Sequence, residues 1–589
     1  MYLIGVNQMK NLIISAILLI MISFWVVGGC HDKGGDSKPP SIVISHDVPQ
    51  DIKGGAPNAD LCSSSIFAWQ EFIALNWPAK EGTRDTPDTA KLFGDPNFTG
   101  PLVWQTYRHK VEIYPGMGDP PGFNPNSLDF GYSTVPPQYV YGSGEVEPCT
   151  GQTPPSQPAW VNLDEISQIG LDSMFAGVAP TDSTNNSAPQ LIRFLAKANK
   201  EHYTYVVDPT NSFWNHSQAY MDATSNFQQV ANGNGNPSKL PGPVIDFPDG
   251  MIEVKTAFRE LTEEEKNSGQ FYQTTVRYYE QDQSDPNNAC FREAVWGMLA
   301  LHIEHKTPTA PWEIWATFEQ ADNLLTPDGK PVEDEDGNII NPPPTQSSTT
   351  PALTYMDGDP PSLKIVGDQF CTDIGDRLFY MENPQLAGLP SGGDICVNER
   401  DHSIPSDVIS VNQIAHNAIK QYNMENGLES SPWLFYKLVN VQWVPFDVTS
   451  INESNPNFSS AVFHTNNIVV ETDFTLQNFS GRIFFDQSKT SGNGDPTNLP
   501  ANFNNFDPSR QTYQNVLVFD NVGNLQQVFN MGGCMGCHGN AQETGNDFSF
   551  ILEGGPVMEP EAPEVTAPGT TNPFPTVNKE LKSIESLGR

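Results

Sequence analysis

Basic residues are scarce in this chain. Its 31 Lys and Arg stand against 70 Asp and Glu, giving a net charge of −39. So acidic a surface disfavours nucleic acid and anionic lipid headgroups as partners and suits cationic ones. Charge of either sign makes up only 17% of residues, while Pro (51) and Gly (47) abound, which describes a loop-heavy chain of short elements. No Gly-rich phosphate loop, serine nucleophile elbow or H-E-x-x-H pair is present, so phosphate-binding, serine-hydrolase and zincin readings find no footing. No internal repeat is visible, which sets aside a solenoid. The longest apolar run near the start, Leu12 to Val27, is about 16 residues and too short for a confident membrane span.

That run follows Lys10 and precedes Gly28-Gly29-Cys30. A basic start, a short apolar core and small residues before a Cys form a lipoprotein-type export signal. Residues 1–29 are then a signal peptide, and Cys30 becomes the lipidated N-terminus and the membrane anchor. His31, not Asp, follows it, the pattern expected for sorting to an outer membrane. Removing 29 of 589 residues leaves 560 and takes away one Lys, so the charge becomes −40. That length is ample for a large core.

Eight Cys are present. With Cys30 assigned to lipid and Cys534 and Cys537 to the motif below, Cys62, Cys149, Cys290, Cys371 and Cys396 remain. Export permits disulfides, and an odd count leaves one thiol unpaired. Cys290 is the expected free thiol, and Cys371 with Cys396 the expected pair.

Residues 30–60 are polar and read as a flexible tether. A helix is expected at 62–76, capped by Ser63 to Ser65, with Ile66, Trp69, Ile73 and Trp77 on one face and Pro78 as its stop. Short strands are expected in loops from 79, as at Leu102 to Tyr107. Val254 to Leu261 and Tyr272 to Tyr279 read as elements of a mixed body. Phe291, Val295, Met298, Leu299 and His302 recur at helical spacing, so Cys290 to Lys306 is the strongest helix expectation. Residues 326–350 read as an insertion. Another helix is expected at 406–424, then strands at Asn467 to Leu476, Arg482 to Asp486 and Asn515 to Asp520. The fold class is α+β: a loop-rich mixed body over 61–530, an attachment segment over 531–553 and a Pro- and Glu-rich tail over 554–589, with no free-standing cytochrome c domain.

The attachment segment is Cys534-Met535-Gly536-Cys537-His538, a C-x-x-C-H run that reads as the site of one covalent haem c. Two thiols three residues apart reach the two vinyl groups on one porphyrin edge, and the next residue, His538, falls under the iron. By composition, on the order of 0.002 such matches are expected by chance in this chain. A thioredoxin-like pair needs a long following helix, which Gly539-Asn540 interrupts. A zinc site needs a second close pair of ligands, which is missing. Met558, 20 residues after His538, is the expected sixth ligand, with His302, His416 or His464 as alternatives and an open iron as the last. The chain ends 51 residues after His538, so the haem is expected to pack on the preceding body.

Weaker patterns have plainer readings. His302 and His305, three apart on the expected helix, could share a metal, but a buried, hydrogen-bonded His302 is the better expectation. Trp312, Trp315 and Phe318 could line a binding wall, yet read first as core. Asp334 to Asn338 fails as a calcium loop, because Val332 and Pro343 stand at the first and twelfth ligand positions. A hydrophilic hairpin at Asp336-Gly337 is expected instead.

The sequence resembles a family of bacterial c-type cytochromes. The resemblance rests on Trp69 to Pro78, Glu253 to Arg259 and Trp312 to Glu319, anchored by Cys534 to His538 and by Asp547-Phe548-Ser549-Phe550. It implies an exported, redox-active haem protein and supplies no substrate. Electron transfer or a haem-linked oxidoreductase step in the cell envelope, with a redox partner protein, is the leading expectation. A peroxidase- or oxygenase-like haem enzyme with open iron is one alternative, and a haem-bearing sensing lipoprotein the other.

Overall fold

The computed structural model describes residues 30, 40–168, 172–173, 175–176, 190–231, 239–282, 288–323, 330–341, 352–356, 362–366, 403–445, 514–531 and 533–562. Helix and sheet are mixed, as the α+β class requires, and the main sheet curls into a nearly closed, barrel-like wall. Among the described residues no helix is long and apolar enough to cross a membrane.

Helix α1 (Leu61–Leu75) starts at a reciprocal cap. The Asp60 carboxylate accepts from the Ser63 amide and the Ser63 hydroxyl accepts from the Asp60 amide, at 2.9 and 3.0 Å, so the cap lies just before the serines expected to provide it. The helix is buried along most of its length, including Trp69, Phe72 and Ile73. Trp69 donates its indole N–H to Asn412 Oδ1 at 2.8 Å, which ties α1 to the later helix. Of the segment expected as a tether, residues 40–60 instead lie along the body. Ile42, Ile52 and Ala56 join the core, because isolated apolar residues in a polar stretch still seek burial.

The main sheet contains β1 (Arg108–His109), β2 (Val161–Leu163), β3 (Arg193–Ala198), β4 (Ile252–Arg259), β5 (Gln273–Gln281), β6 (Ala289–Thr307), β7 (Ala310–Gln320) and β8 (Tyr436–Gln442). Its order is β1-β3-β4-β6-β7-β8. β5 also pairs with β6, and β2 runs parallel to β5. The expected strands near 254–261 and 272–279 are β4 and β5. The run expected to be the strongest helix is β6, a 19-residue strand. Its first half pairs with β5; its second half pairs with β4 and β7. From Met298 onward it is buried on both faces, which erases the period-two alternation that marks a strand. Leu102 to Tyr107 is a turn of 3₁₀ helix at Trp104–Thr106 rather than a strand.

Helix α2 (Lys200–Val207) follows β3, with Asn199 at its N-cap. Helix α3 (Ser406–Asn426) covers the expected 406–424. With α1 it packs on one face of the sheet. Leu301, Ile303, Ile314, Ala316, Phe318 and Val441 meet Phe72 of α1 and Val411 of α3 in a single core. The rings of Phe72 and Phe318 stack at 4.3 Å. Between β7 and α3, Asp334 to Asn338 forms the expected hairpin turn, with Gly337 at φ +100°.

The end of the described chain packs on the opposite face. Strands β9 (Gln514–Phe519, near the expected 515–520) and β10 (Leu525–Met531) form a hairpin that leads into α4 (Gly533–Glu543) and the short α5 (Phe550–Gly554). Gln542 of α4 bonds both the amide and the carbonyl of Leu517 at 2.8 and 2.9 Å. Gln442 of β8 accepts the Met535 amide at 2.9 Å. These bonds dock α4 on the body.

Cys290 is not a free thiol: it is disulfide-bonded to Cys149. Its place near the start of β6 brings it beside the segment at Pro148, which bridges to Phe291. Cys30 is bonded to Cys62. Cys371 and Cys396, the strands expected at 467–476 and 482–486, and His464 lie outside the described residues.

Candidate metal centre

Helix α4 carries the C-x-x-C-H run from its second residue onward. Positions 534, 537 and 538 are spaced i, i+3 and i+4, which share one helical face. Gly533 opens the helix at φ +71°, a left-handed conformation that glycine adopts without a Cβ penalty.

The His538 ring is fixed by one bond and two aromatic neighbours. Its Nδ1 lies 2.8 Å from the Phe548 carbonyl oxygen. A carbonyl can only accept, so Nδ1 carries the proton and Nε2 presents a lone pair. Burial pushes the imidazole pKa down to about 4, so the ring is neutral at physiological pH. Trp315 and Phe550 flank it, with ring centroids 4.3 and 4.6 Å away. Cys534 is half-buried in the same apolar cluster as Trp315, Met535 and Phe548. Trp315 thus belongs to a wall beside α4, whereas Phe318, three residues on, faces the helical core.

The four residues after the α4 turn divide the work of placing that ring. Asp547, at φ +55°, accepts from the Lys306 ammonium of β6 at 2.6 Å and from the Phe247 amide at 2.9 Å. Phe548 supplies the carbonyl for His538. Ser549 caps α5 by accepting the Leu552 amide at 3.1 Å. Phe550 supplies the flanking ring.

Nε2 of His538 faces the sheet, where Glu304 Oε1 lies 3.6 Å away. This face is polar and buried. Register places Glu304 opposite Glu253 of β4 and Trp315 of β7, and His302 opposite Lys255 and Thr317. Burial, reinforced by the Glu253 charge, holds the Glu304 carboxyl well above the usual range. Burial, with Lys255 and His538 nearby, pushes His302 down to about 3. His202 of α2 approaches Glu253 with Nδ1 at 2.9 Å, and its Nε2 is 2.8 Å from the Tyr114 hydroxyl. Glu313, also on this face, is raised by burial and by Asp547, Glu253 and Glu304. Among the described residues these groups form no cluster of three His, Cys, Asp or Glu arranged to hold a metal ion by themselves.

The other expected ligands are dispersed. Because β6 is a strand, His302 and His305 point to opposite faces and cannot share a metal. His305 meets the buried Glu71 carboxylate of α1 on the helical side. His416 uses both ring nitrogens, one on Asp336 at 2.6 Å and one on the Tyr436 carbonyl at 2.9 Å. Met558 is 56% exposed. Its side chain lies over Gly142, whose amide donates to the Met558 carbonyl at 2.8 Å. Val557 donates to the Tyr114 carbonyl and Glu561 to that of Asp164, so this part of the tail is laid along the body. The Cys30 sulfur, bonded to Cys62, is buried.

A haem c held here would meet a C-x-x-C-H helix and a neutral imidazole whose Nε2 turns toward the sheet, with the other ring nitrogen held by a carbonyl and an aromatic surround. Sequence reasoning missed Glu253, Glu304 and Lys306. The alternation His302-x-Glu304-x-Lys306 was the available signal, since three polar residues at period two in an apolar run mark one face of a strand. No protein-family model, curated protein or solved structure matches this chain.

Proposed function

We propose that this chain is an exported c-type cytochrome that carries one haem on Cys534 and Cys537, with His538 as the proximal iron ligand, and serves redox chemistry in the cell envelope. The observation that carries the reading is the His538 ring. Its Nδ1–H is spent on the Phe548 carbonyl, which leaves Nε2 unprotonated and aimed away from its own loop, as a metal-binding imidazole requires. Bound haem would supply one-electron chemistry. The protein's part is to orient the imidazole through Lys306, Asp547 and Phe548, and to wall the site with Trp315 and Phe550. The acidic surface, at a net charge of −39, suits a cationic redox partner. Changing Cys534 and Cys537 together to Ala is expected to abolish haem staining on a denaturing gel. Covalent haem in that double variant overturns the proposal.

Within this proposal the mature chain begins at Cys30 and is held to the membrane by lipid on that sulfur. The disulfide with Cys62 is a competing use of the same atom, so a lipidated chain presents Cys62 as a thiol. Cys30→Ser is expected to move the protein into the soluble fraction. Retention on membranes after a high-salt wash identifies another anchor. Met558 is not carried into the proposal as iron ligand, because it is exposed and its described contacts are with the Gly142 strip.

A further inference from the structure

We infer that the residue facing the iron from the side opposite His538 is Glu304, an oxygen donor from the sheet. The inference rests on haem attachment at Cys534 to His538. Its geometry is the 3.6 Å between His538 Nε2 and Glu304 Oε1. Two donor atoms on opposite sides of one metal, each about 2 Å from it, are about 4 Å apart. The pair therefore already stands at nearly the span that a shared iron needs.

Glu304 is held to this place by its backbone. It lies in the second half of β6, with β4 and β7 paired on either side, so its side chain can project only toward α4 or toward the helical core, and it projects toward α4. It is buried, and among the described residues nothing donates a hydrogen bond to its carboxylate. A buried carboxyl without a donor is costly unless something else meets it. Lys255 and Lys306 on the same face are directed elsewhere: Lys255 lies 3.7 Å from Glu165, and Lys306 bonds Asp246 and Asp547. Behind Glu304, Glu253 stands directly across the strands, with His202 and Tyr114 in line after it.

The competing ligands are less well placed. Met558 sits over Gly142, and His416 has both nitrogens engaged. His302 shares the face but lies one register step away, between Lys255 and Thr317. With an oxygen donor from Glu304 in place of a thioether, a bound haem would be open to exchange with a small neutral ligand and would lack the methionine bond that raises the potential of electron-transfer cytochromes.

The test uses the full-length holoprotein, with Glu304→Ala, Glu304→Gln, His302→Ala and Met558→Leu compared with the parent. Imidazole, neutral at mildly alkaline pH, is the probe. Glu304→Ala is expected to bind it about tenfold tighter, since a tethered carboxylate no longer competes for the iron. Glu304→Gln, which keeps the shape, is expected to shift the ferric absorption spectrum, while Met558→Leu and His302→Ala superimpose on the parent. Unchanged spectra and imidazole affinity in both Glu304 variants overturn the inference. So does a methionine–iron near-infrared band that Met558→Leu removes, or an axial-ligand change produced by His302→Ala alone. A parent without covalent haem on a denaturing gel defeats the underlying haem reading instead.

Discussion

Along the second half of β6, Leu301, Ile303 and His305 point toward the helices, while His302, Glu304 and Lys306 point toward α4. One strand thus builds two environments, one residue out of step. On the helical face, aromatic and aliphatic side chains interlock with α1 and α3, and the buried His305 has a carboxylate partner in Glu71. On the α4 face, three buried Glu and two Lys share the space with His302 and His538. The first arrangement gains from removing apolar area from water. The second does not stabilise in that way, since each buried charge loses hydration that its partners only partly return. The division implies that the helical face maintains the fold and the α4 face maintains the site.

The largest expected effect tests the helical face. Phe72 is fully buried between Trp69, Phe318 and Trp433. Phe72→Ala is expected to cost about 3–5 kcal/mol of stability, read from urea unfolding. Haem yield in the fraction that folds should be unchanged. A cost below about 1 kcal/mol would mean that this face is not what holds the sheet together.

The next effect lies on the α4 face. Lys306 is buried and joins Asp547 to Asp246, each at 2.6 Å. Lys306→Met leaves Asp547 buried without its counter-ion, at an expected cost of about 3 kcal/mol. Asp547 places the Phe548 carbonyl, so the same variant should also lower covalent haem yield, measured as haem absorbance per protein. Full yield with lost stability would separate the two roles and weaken the division between faces.

The two faces were not equally legible in the sequence. Helix α1 could be read because Trp69 and Ile73 recur on one face before Pro78, and α3 lies where a helix was expected at 406–424. Strand β6 could not, because its second half is buried on both sides and its apolar residues fall by coincidence at helical spacing. That error carried Cys290 and the His302–His305 pair with it. The C-x-x-C-H run was legible because its chemistry is local: two thiols and an imidazole at fixed spacing need no knowledge of the fold. Glu304 was not, because its meaning depends on cross-strand register and on a helix more than 200 residues later in the chain. Asp547-Phe548-Ser549-Phe550 stood out as a pattern, but its division of labour appears only once Lys306, His538 and Leu552 surround it.

A smaller effect separates the faces by pH. Glu553 of α5 is raised to about 7 by burial, although Thr544 donates to one of its oxygens at 2.7 Å. Among the described residues its other oxygen has no partner. The folded pKa thus lies above the unfolded value of 4.5. The associated stability is fully present below 4.5 and is lost as pH rises through 7. With its partial exposure discounted, the loss is expected to be about 2 kcal/mol. Glu553→Gln should flatten that part of the stability–pH curve. A parent curve that is already flat between pH 4.5 and 7 would show that the segment beside α4 opens to water before the carboxyl has to ionise.

The smallest effect, of the same sign, concerns Glu313. It sits on β7 at φ +66°, buried, with Oε1 unpartnered among the described residues. Burial and the neighbouring Asp547, Glu253 and Glu304 raise its pKa, against the opposing charge of Lys306. The folded state therefore holds this proton to higher pH than the unfolded chain does, and that difference destabilises the parent as pH rises. Gln keeps the shape and the hydrogen-bonding capacity but has no proton to lose. Glu313→Gln is expected to be neutral at pH 5 and to stabilise by up to about 1 kcal/mol at pH 8, read from paired urea titrations. A loss of about 2 kcal/mol or more at pH 8 would instead identify an ionised Glu313 that works with Lys306 to fix the loop at Asp547. In that case the α4 face, like the helical face, would contribute to holding the fold together.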